Sequence, residues 1–333
     1  MEYKRLGRSN MTVSRICVGT MHFGNRTPED EAFAIMDKAL EMGINFFDTA
    51  NVYGGRPNTG LTESIIGRWL AQGGGRRDAI VLATKVYGPM VPDPGPNETA
   101  GISAYKVRKH LHDSLERLQT DHIDLYQVHH LDRTITVEEF WRIFERLEND
   151  GDVLYIGTSN FPGWGLTKFQ MAAWHRGLLG LVSEQTQYNL LSRYPELEVL
   201  PAALEMEIGV IPYMPVAGGL LTGKEVVQPG SRTADVWNEY GFSDDRQPQL
   251  DAFSALCADL GEPEHVVATA WTLAHPAVTS AIVGVRTIAH LEGLDRASEL
   301  ELDAETLTRL DEIFSINRGR PLKPGPAPEA YAW

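Results

Sequence analysis

The stretch NFFDTANVYG, residues 45–54, combines two kinds of local structure. It begins with the apolar residues of a buried strand and passes directly to an acid, polar side chains, a tyrosine and a glycine. Asp48 ends the strand, and Tyr53 follows five residues later. The pattern therefore indicates either an ordinary strand-to-loop junction or the edge of a functional site.

Short β-branched or aromatic runs of this kind recur along the chain. Eight are present, at residues 14–20, 45–50, 80–86, 123–130, 153–160, 180–189, 209–216 and 279–285. A stretch of helical periodicity follows each run, for example AYKVRKHLHDSLERL. Near-continuous apolar strands that alternate with helices favour parallel pairing, in which each crossover helix covers the sheet. We predict an α/β fold, a (β/α)8 TIM barrel, with residues 1–333 forming a single domain.

Other segments complete this expected architecture. An open doubly wound sheet is the alternative, but a dinucleotide-binding sheet of that type carries GxGxxG after its first strand, and MHFGNRT at residues 21–27 does not match it. The turn GRSN between YKRL and MTVS predicts an N-terminal β-hairpin. Two insertions rich in proline and glycine, 87–103 and 222–249, predict long functional loops at the C-terminal face. The proline-rich tail 318–333 is either disordered or laid across the barrel mouth.

The composition and charge of the chain limit the kinds of molecule that it is expected to bind. A net charge of −15 disfavours a protein that grips nucleic acid or an anionic membrane surface. Only two cysteines are present, which leaves no disulfide framework and fits a reducing compartment. The first residues have no apolar signal core, and no stretch approaches the roughly 20 apolar residues of a membrane span. We expect a cytoplasmic protein that acts on a small molecule; its oligomeric state does not follow from the sequence.

The polar residues at the ends of the strands are the candidate functional groups, because the C-terminal strand ends of such a barrel form its reaction site. The candidates are Asp48, Tyr53, Lys85, His129, His130, Ser159, Asn160, Glu184, Gln185, Gln187 and Tyr213.

This set of residues predicts a proton donor. A phenol with a pKa near 10 is a weak acid, and the ammonium of Lys85 would stabilise the phenolate of Tyr53 and lower its pKa. Asp48 would be the counter-ion of Lys85, although these two alone could equally form a structural ion pair. Strand alternation predicts that Asp48, Lys85 and His129 face inward and that His130 faces the opposite way. His129 would then orient a carbonyl oxygen that Tyr53 protonates.

A reduction also needs a hydride, which no side chain can deliver. A nicotinamide cofactor can. Ser159, Asn160 and Gln185 offer hydroxyl and amide groups suited to a carboxamide, and Tyr213 offers a flat face for stacking on the ring.

Two motifs invite other interpretations. The pair His129–His130 raises the possibility of a metal site, but adjacent strand residues point to opposite faces and no His/Cys cluster follows, so we predict no metal. The segment GGLLTGKE, residues 218–225, nearly spells a phosphate-binding loop. Glu225 stands where that loop has Ser or Thr, so Lys224 is interpreted as a pyrophosphate contact.

Several fragments together resemble the aldo-keto reductase family over almost the whole chain. They are FFDTANVYG, LATKV, IDLYQVHH, YIGTSNF, SEQTQYNL and YMPVAGGLLTGK, in the family's order and spacing. The resemblance implies a (β/α)8 barrel that uses NADPH, or less often NADH, to reduce aldehydes and ketones. It implies a catalytic tetrad of Asp48, Tyr53, Lys85 and His129.

The same resemblance implies a set of cofactor contacts. They are Thr20, Met21, Asp48, Ser159, Asn160, Gln185, Tyr213, Met214, Pro215, Gly218, Leu220, Lys224, Gly284, Arg286 and His290. Met214 departs from a position that is often serine in the family. Arg286 can pair with a 2′-phosphate, whereas His290 and Leu294 stand where Arg or Gln and Asn are expected. We expect NADPH, with NADH possible.

The resemblance also narrows the function. TESIIGRWLAQGGGRRD, DHIDLYQVHHLDR and LGLVSEQTQYNL look most similar to actinobacterial members of the family that reduce keto-deoxysugars. Two alternatives remain open. One is a cofactor-sensing subunit like the related potassium-channel β subunits, and the other is a barrel isomerase or lyase without nicotinamide.

Overall fold

The computed structural model describes residues 1–55, 57–223 and 247–315. Its strands are β1 (Tyr3–Arg5), β2 (Thr12–Ser14), β3 (Ile16–Gly19), β4 (Phe46–Asp48), β5 (Val81–Val86), β6 (Ile123–Val128), β7 (Val153–Ser159), β8 (Leu181–Gln185), β9 (Gly209–Val210) and β10 (Ala281–Gly284). Its α-helices are α1 (Glu29–Glu41), α2 (Leu61–Leu70), α3 (Ala104–Leu118), α4 (Val137–Asp150), α5 (Gly163–His175), α6 (Val199–Glu205), α7 (Gln247–Leu260), α8 (Glu264–Ala274), α9 (Leu294–Glu299) and α10 (Ala304–Ile313).

Strands β3 to β10 form one parallel sheet that closes on itself. The strand order is β10-β3-β4-β5-β6-β7-β8-β9. Two backbone hydrogen bonds of 2.8 Å join its ends: Thr279 N donates to Val210 O, and Ile282 N donates to Pro212 O. The protein is therefore a (β/α)8 barrel, which confirms the predicted fold and excludes the open sheet.

Most strand residues are apolar because both faces of the sheet are covered. One face fills the barrel interior with Cys17, Phe46, Ala83, Leu125 and Ile211. The other face packs under the helices with Val18, Phe47, Leu82, Tyr126 and Val210. Burial on both faces explains why each strand reads as a continuous apolar run rather than as an alternation.

The N-terminal hairpin closes one end of the barrel. Strands β1 and β2 pair antiparallel, with Tyr3 opposite Ser14, as predicted. Leu6 and Val13 from this hairpin join the interior cluster. Gly7 has a φ of +53°, and a Cβ at this position would lie 2.3 Å from Val182 O, so the turn fits against the barrel only as glycine. The hairpin occupies the N-terminal end and leaves the C-terminal strand ends for a site.

The first insertion, residues 87–103, is an ordered loop between β5 and α3. Gly101 N donates to Tyr87 O at 3.2 Å, which brings the two ends of the loop together. The side chain of Lys106 on α3 is buried and donates to Thr99 O at 2.5 Å. These bonds hold the loop at the C-terminal end of the barrel.

The second insertion lies mostly outside the described residues, and the tail 318–333 lies wholly outside them. Within the described ranges, no helix has the length and apolar character needed to cross a membrane.

Candidate active site

An ion pair lies inside the barrel at the C-terminal strand ends. The register places Asp48 of β4 opposite Ala83 of β5, so Lys85 lies two residues further along the same face. Lys85 Nζ donates to Asp48 Oδ2 at 2.5 Å and to Thr49 O at 2.9 Å. The side chains of Lys85 and Asp48 are 0% and 3% exposed, so the two charges depend on each other and on hydrogen bonds rather than on water.

Two glutamines satisfy the other oxygen of Asp48. Gln127 Nε2 and Gln185 Nε2 each donate to Asp48 Oδ1 at 2.9 Å, and Gln185 Nε2 also lies 3.2 Å from Gln127 Oε1. Gln185 was predicted as a cofactor ligand, and in the structure its amide nitrogen donates a hydrogen bond to Asp48. Gln127 was missed by the sequence analysis, although it pairs with Lys85 in the register between β5 and β6. The spacing of Lys85 and Gln127 on adjacent strands is the signal that could have identified it.

Tyr53 lies in the turn that follows β4. Lys85 Nζ is 3.4 Å from Tyr53 Oη, within hydrogen-bond distance. Tyr53 N donates to Ala50 O at 3.1 Å, which tightens the turn. Gly54 follows with a φ of +114°, and a Cβ there would lie 2.3 Å from Asn58 O. The glycine that ends the quoted stretch is thus required for the turn that aims the phenol at Lys85.

The proton affinities in this cluster differ from the expectation. Burial raises the pKa of Tyr53, and the charge of Asp48 adds to this, while Lys85 lowers it without reversing the effect. Burial also lowers the pKa of Lys85, but Asp48 and Tyr53 raise it more, and the net shift is upward. The predicted net lowering of the Tyr53 pKa is wrong, because burial of the phenol outweighs the stabilisation that Lys85 gives to the phenolate. At neutral pH both groups keep their protons.

His129 stands beside the phenol. Its ring centroid lies 6.0 Å from that of Tyr53, in an edge-on arrangement. Burial lowers the pKa of His129 well below its usual value, and Lys85 and His130 act in the same direction. A neutral imidazole therefore faces the site at neutral pH.

His130 does not point away from His129, and that prediction is wrong. The two rings stack at 5.0 Å with an interplanar angle of 2°. Strand β6 ends at Val128, so strand alternation does not apply to the two residues that follow. Among the described residues, no group of three or more metal-binding side chains accompanies them.

Asn160 connects several predicted site residues. It follows β7 with a left-handed φ of +58°, a conformation that asparagine tolerates. Its Nδ2 donates to Ser159 Oγ at 3.0 Å and to His129 O at 3.1 Å. Tyr213 Oη donates to Asn160 Oδ1 at 3.0 Å. One buried amide thus holds the hydroxyl of Ser159, the backbone of His129 and the ring of Tyr213 in a fixed relation.

Glu184 supports this connection from outside the barrel interior. It is fully buried, and its Oε1 accepts from Phe161 N at 3.0 Å, next to Asn160. Its Oε2 lies 2.5 Å from Thr158 Oγ1. Burial raises the pKa of Glu184 to about 8, against the hydrogen bonds that lower it. Glu184 is therefore largely protonated at neutral pH and acts as a structural support.

A tight turn after Tyr213 contains four more of the predicted cofactor contacts. Met214 and Gly218 have positive φ values of 59° and 67°. Pro215 is buried and Leu220 is partly buried in the same turn. Asn189 Nδ2 donates to Met214 O at 2.9 Å, which fixes the start of the turn. Within the turn, Ala217 N donates to Met214 O and Gly219 N donates to Val216 O, both at 2.9 Å, which fixes its shape.

Three further predicted contacts lie at the ends of β3 and β10, which are neighbours in the barrel. Thr20 is fully buried and donates through Oγ1 to Asp48 O at 2.9 Å, while Met21 is 43% exposed. Gly284 is exposed at the end of β10. Gly284 has room beside it, since a Cβ there would approach nothing nearer than the ring of His22, at 3.6 Å.

The loop after β10 carries the residues expected at a 2′-phosphate. Arg286 is partly exposed, and its backbone O accepts from Thr27 Oγ1 at 3.1 Å. His290 Nδ1 lies 2.7 Å from Thr287 Oγ1. Leu294 is only 2% exposed and begins α9 in the core, so it offers nothing to a ligand. Lys224 lies outside the described residues.

These groups match in kind what a nicotinamide dinucleotide requires. A hydroxyl and two amides lie at the ends of β7 and β8, beside the aromatic ring of Tyr213. Arg286, partly exposed in the loop after β10, offers a cation for a phosphate group. The chemistry of the donor set therefore fits the cofactor.

Comparison with known proteins agrees with this geometry. The profile of the Aldo/keto reductase family matches residues 15–315. The chain belongs to the aldo/keto reductase family. As a member, it is an oxidoreductase that uses NAD(P)H, and it acts on carbonyl groups of small molecules.

Relatives of this aldo/keto reductase differ in what their names say. The "Uncharacterized oxidoreductase YrpG" of Bacillus subtilis is 52% identical over 100% of both chains. "Norsolorinic acid reductase B" of Aspergillus parasiticus is 30% identical over 96% of this chain and 86% of its own. A "Probable voltage-gated potassium channel subunit beta" of Arabidopsis thaliana is 30% identical over 97% of this chain and 99% of its own. The family thus carries both reductase and channel-subunit names.

Glu184 generates a prediction about stability and pH. Its folded pKa of about 8 lies above the ordinary 4.5, so the unfolded chain loses this proton first and stability falls as pH rises through that window. In Glu184→Gln the amide mimics the protonated acid and keeps an oxygen for Phe161 N. We expect the free energy of unfolding of Glu184→Gln, measured in urea, to fall less than that of wild type between about pH 5 and pH 8. The exposed Glu138→Gln is the control, and equal slopes for wild type and Glu184→Gln would contradict the assignment.

Proposed function

We propose that this aldo/keto reductase reduces an aldehyde or ketone with Tyr53 as the proton donor. The observation that carries the proposal is the position of Lys85 Nζ, 2.5 Å from Asp48 Oδ2 and 3.4 Å from Tyr53 Oη inside the barrel. A bound NAD(P)H supplies a hydride to the carbonyl carbon. The protein must then bind the carbonyl oxygen and deliver one proton to it.

Each member of the proposed tetrad has a distinct role in that proton transfer. Tyr53 holds its proton until negative charge develops on the carbonyl oxygen, and then donates it. Lys85 stabilises the phenolate that remains, and Asp48 keeps Lys85 charged and in place. His129, neutral beside the phenol, orients the carbonyl oxygen through a hydrogen bond. Solvent returns the proton to Tyr53 after the alcohol leaves.

We propose the cofactor contacts on the same geometric grounds. Ser159, Asn160 and Gln185 would bind the carboxamide of the nicotinamide, and Tyr213 would stack on its ring. The amide nitrogens of Asn160 and Gln185 already donate to protein oxygens. The carboxamide would therefore be bound by Gln185 Oε1, by the Ser159 hydroxyl and by Asn160 Oδ1, which can accept a second hydrogen bond beside that from Tyr213. The turn at 214–220 would face the pyrophosphate.

NADPH is the proposed form of the cofactor, and Arg286 is the reason. In the described part of the loop after β10, the guanidinium of Arg286 is the cation that can bind a 2′-phosphate. Leu294 is buried, and the ring of His290 is hydrogen-bonded to Thr287.

The substrate that we propose is a keto-deoxysugar, on the strength of the sequence motifs quoted above. One relative is named for the reduction of norsolorinic acid, so this compound is the comparison substrate. Initial rates with nucleotide-linked keto sugars, with norsolorinic acid and with simple aldehydes separate these possibilities. A sensor subunit, as the channel-subunit relatives suggest, would bind the cofactor yet turn over none of the panel.

Tyr53→Phe tests the proton donor. The phenylalanine keeps the ring but removes the acid, so we expect kcat for carbonyl reduction to fall by about 100- to 10,000-fold. Binding of NADPH, followed by quenching of tryptophan fluorescence, should be unchanged. Tyr126→Phe is the matched control, because Tyr126 is fully buried on β6 and its hydroxyl has no hydrogen-bond partner among the described residues. Full turnover by Tyr53→Phe would show that another group donates the proton.

Arg286→Ala tests the cofactor preference. Loss of a charge-assisted contact to the 2′-phosphate should weaken NADPH binding about tenfold or more. NADH lacks that phosphate and serves as the internal control, so its dissociation constant should change little. A variant that loses affinity for both cofactors equally would place Arg286 elsewhere on the dinucleotide.

A further inference from the structure

A buried chain of three side chains links the loop at 87–103 to the turn that carries Tyr53. His110 on α3 is 1% exposed and lies at its centre. Its Nε2 lies 2.7 Å from Glu98 Oε2, in the loop, and its Nδ1 lies 3.0 Å from Asn51 Nδ2, in the turn. Asn51 is fully buried and precedes Tyr53 by two residues. None of these three residues is among the proposed catalytic or cofactor-binding groups.

The partners of His110 determine which of its nitrogens carries a proton. The carboxylate of Glu98 only accepts, so His110 Nε2 must be the donor. Burial lowers the pKa of His110; Glu98 opposes this, and Lys106 and Lys109 from the same helix reinforce it. The ring is therefore neutral at neutral pH, Nδ1 carries no hydrogen, and the amide of Asn51 donates to it.

Asn51 depends on His110 for its side-chain hydrogen bond. Its Oδ1 is buried without a hydrogen-bond partner among the residues that the structure describes. Its backbone N donates to Lys85 O over a long 3.3 Å. Loss of the acceptor on His110 would leave a buried amide unsatisfied on both sides, and the turn would rearrange to hydrate it.

Among the described residues, few other hydrogen bonds hold the turn between β4 and Tyr53. Thr49 N donates to Ala83 O at 2.9 Å, which fixes its first residue to β5, and Thr49 O accepts from Lys85 Nζ. After Asn51 the next backbone hydrogen bonds are those of Tyr53 itself, whose N donates to Ala50 O at 3.1 Å and whose O accepts from Gly60 N at 2.9 Å. A small shift of the Asn51 side chain would therefore move the turn and change the distance from Tyr53 Oη to Lys85 Nζ.

We propose that His110 is a positioning residue, which accepts from Asn51 to hold Tyr53 against Lys85 and donates to Glu98 to couple that turn to the loop at 87–103. The inference rests on the proposed function and extends it to groups outside the barrel interior. A displacement of the loop, for example by a substrate, is transmitted through Glu98 and His110 to the proton donor.

Two substitutions at position 110 separate the two contacts of the ring. In His110→Asn the side-chain Oδ1 stands where Nδ1 stood, so it can accept from Asn51 but cannot reach Glu98. In His110→Gln the amide nitrogen stands where Nε2 stood, so it can donate to Glu98 but offers Asn51 no acceptor. Both variants carry an amide side chain at position 110. They differ in whether the contact with Asn51 or the contact with Glu98 is kept.

We expect His110→Gln to lower kcat about 10- to 100-fold, the loss that a misplaced catalytic group causes. His110→Asn should keep kcat close to that of the wild type, because it keeps the hydrogen bond to Asn51. It should raise KM instead, because it loses the contact with Glu98 in the loop at 87–103. His112→Gln, on the exposed face of the same helix with 81% of its side chain accessible, controls for substitution on α3. Equal losses in His110→Asn and His110→Gln would overturn the inference, since a purely structural histidine would give that result.

A measurement without turnover separates this inference from the proposed function. With 13C-labelled tyrosine, the NMR signal of Tyr53, assigned with Tyr53→Phe, should shift in His110→Gln and stay near the wild-type position in His110→Asn. An unmoved Tyr53 signal in His110→Gln would overturn the inference even if the enzyme reduces carbonyls. If the signal shifts as expected and the wild type reduces none of the substrate panel, the proposed function fails while the positioning role stands.

Discussion

The ion pair between Asp48 and Lys85 is the constraint on which the rest of the site depends. Two charges inside an apolar barrel would be costly if either lacked a partner, and a lone buried charge of this kind destabilises a protein by about 3–5 kcal/mol. Here hydrogen bonds of 2.5 to 2.9 Å hold both partners: Gln127 and Gln185 donate to one oxygen of Asp48, and Lys85 donates to the other oxygen and to Thr49 O. The barrel thus holds an ammonium at a fixed point without the help of water.

This arrangement gives an active site with separated charges but little net charge. Asp48 and Lys85 cancel, while Tyr53 and His129 are both neutral at neutral pH because burial raises the pKa of the phenol and lowers that of the imidazole. A neutral carbonyl can enter such a site without repulsion. The negative charge that develops on its oxygen then meets a phenol proton backed by an ammonium, which is electrostatic stabilisation prepared before the reaction.

The sequence predicted the fold because the signals that define it are periodic. Strands that are buried on both faces appear in the sequence as apolar runs, and polar residues mark their C-terminal ends. The proximity of Asp48, Lys85 and Tyr53 could therefore be predicted from the sequence alone. The prediction for His130 was wrong, because it extended strand alternation past the end of β6 at Val128. The sign of the Tyr53 pKa shift also lay beyond the sequence, since it depends on how deeply the phenol is buried, which outweighs the effect of Lys85.

The buried polar residues that support the site follow no comparable periodic pattern in the sequence. Gln127 and His110 are single buried polar residues within a strand and a helix, and Glu184 was noted only as a polar residue at a strand end. The roles of all three come from partners far along the chain. Only the three-dimensional structure shows that Glu184 holds the backbone beside Asn160, or that His110 lies between the loop and the turn.

A double-mutant cycle on the ion pair measures the central claim most directly. The free energies of unfolding of wild type, Asp48→Asn, Lys85→Met and the double variant would be measured by urea denaturation at neutral pH. We expect each single variant to lose about 3–5 kcal/mol, because each leaves one buried charge alone, and the double variant to lose less than the sum of the two. Additive losses would show that Asp48 and Lys85 act independently, and the account of the site would be contradicted.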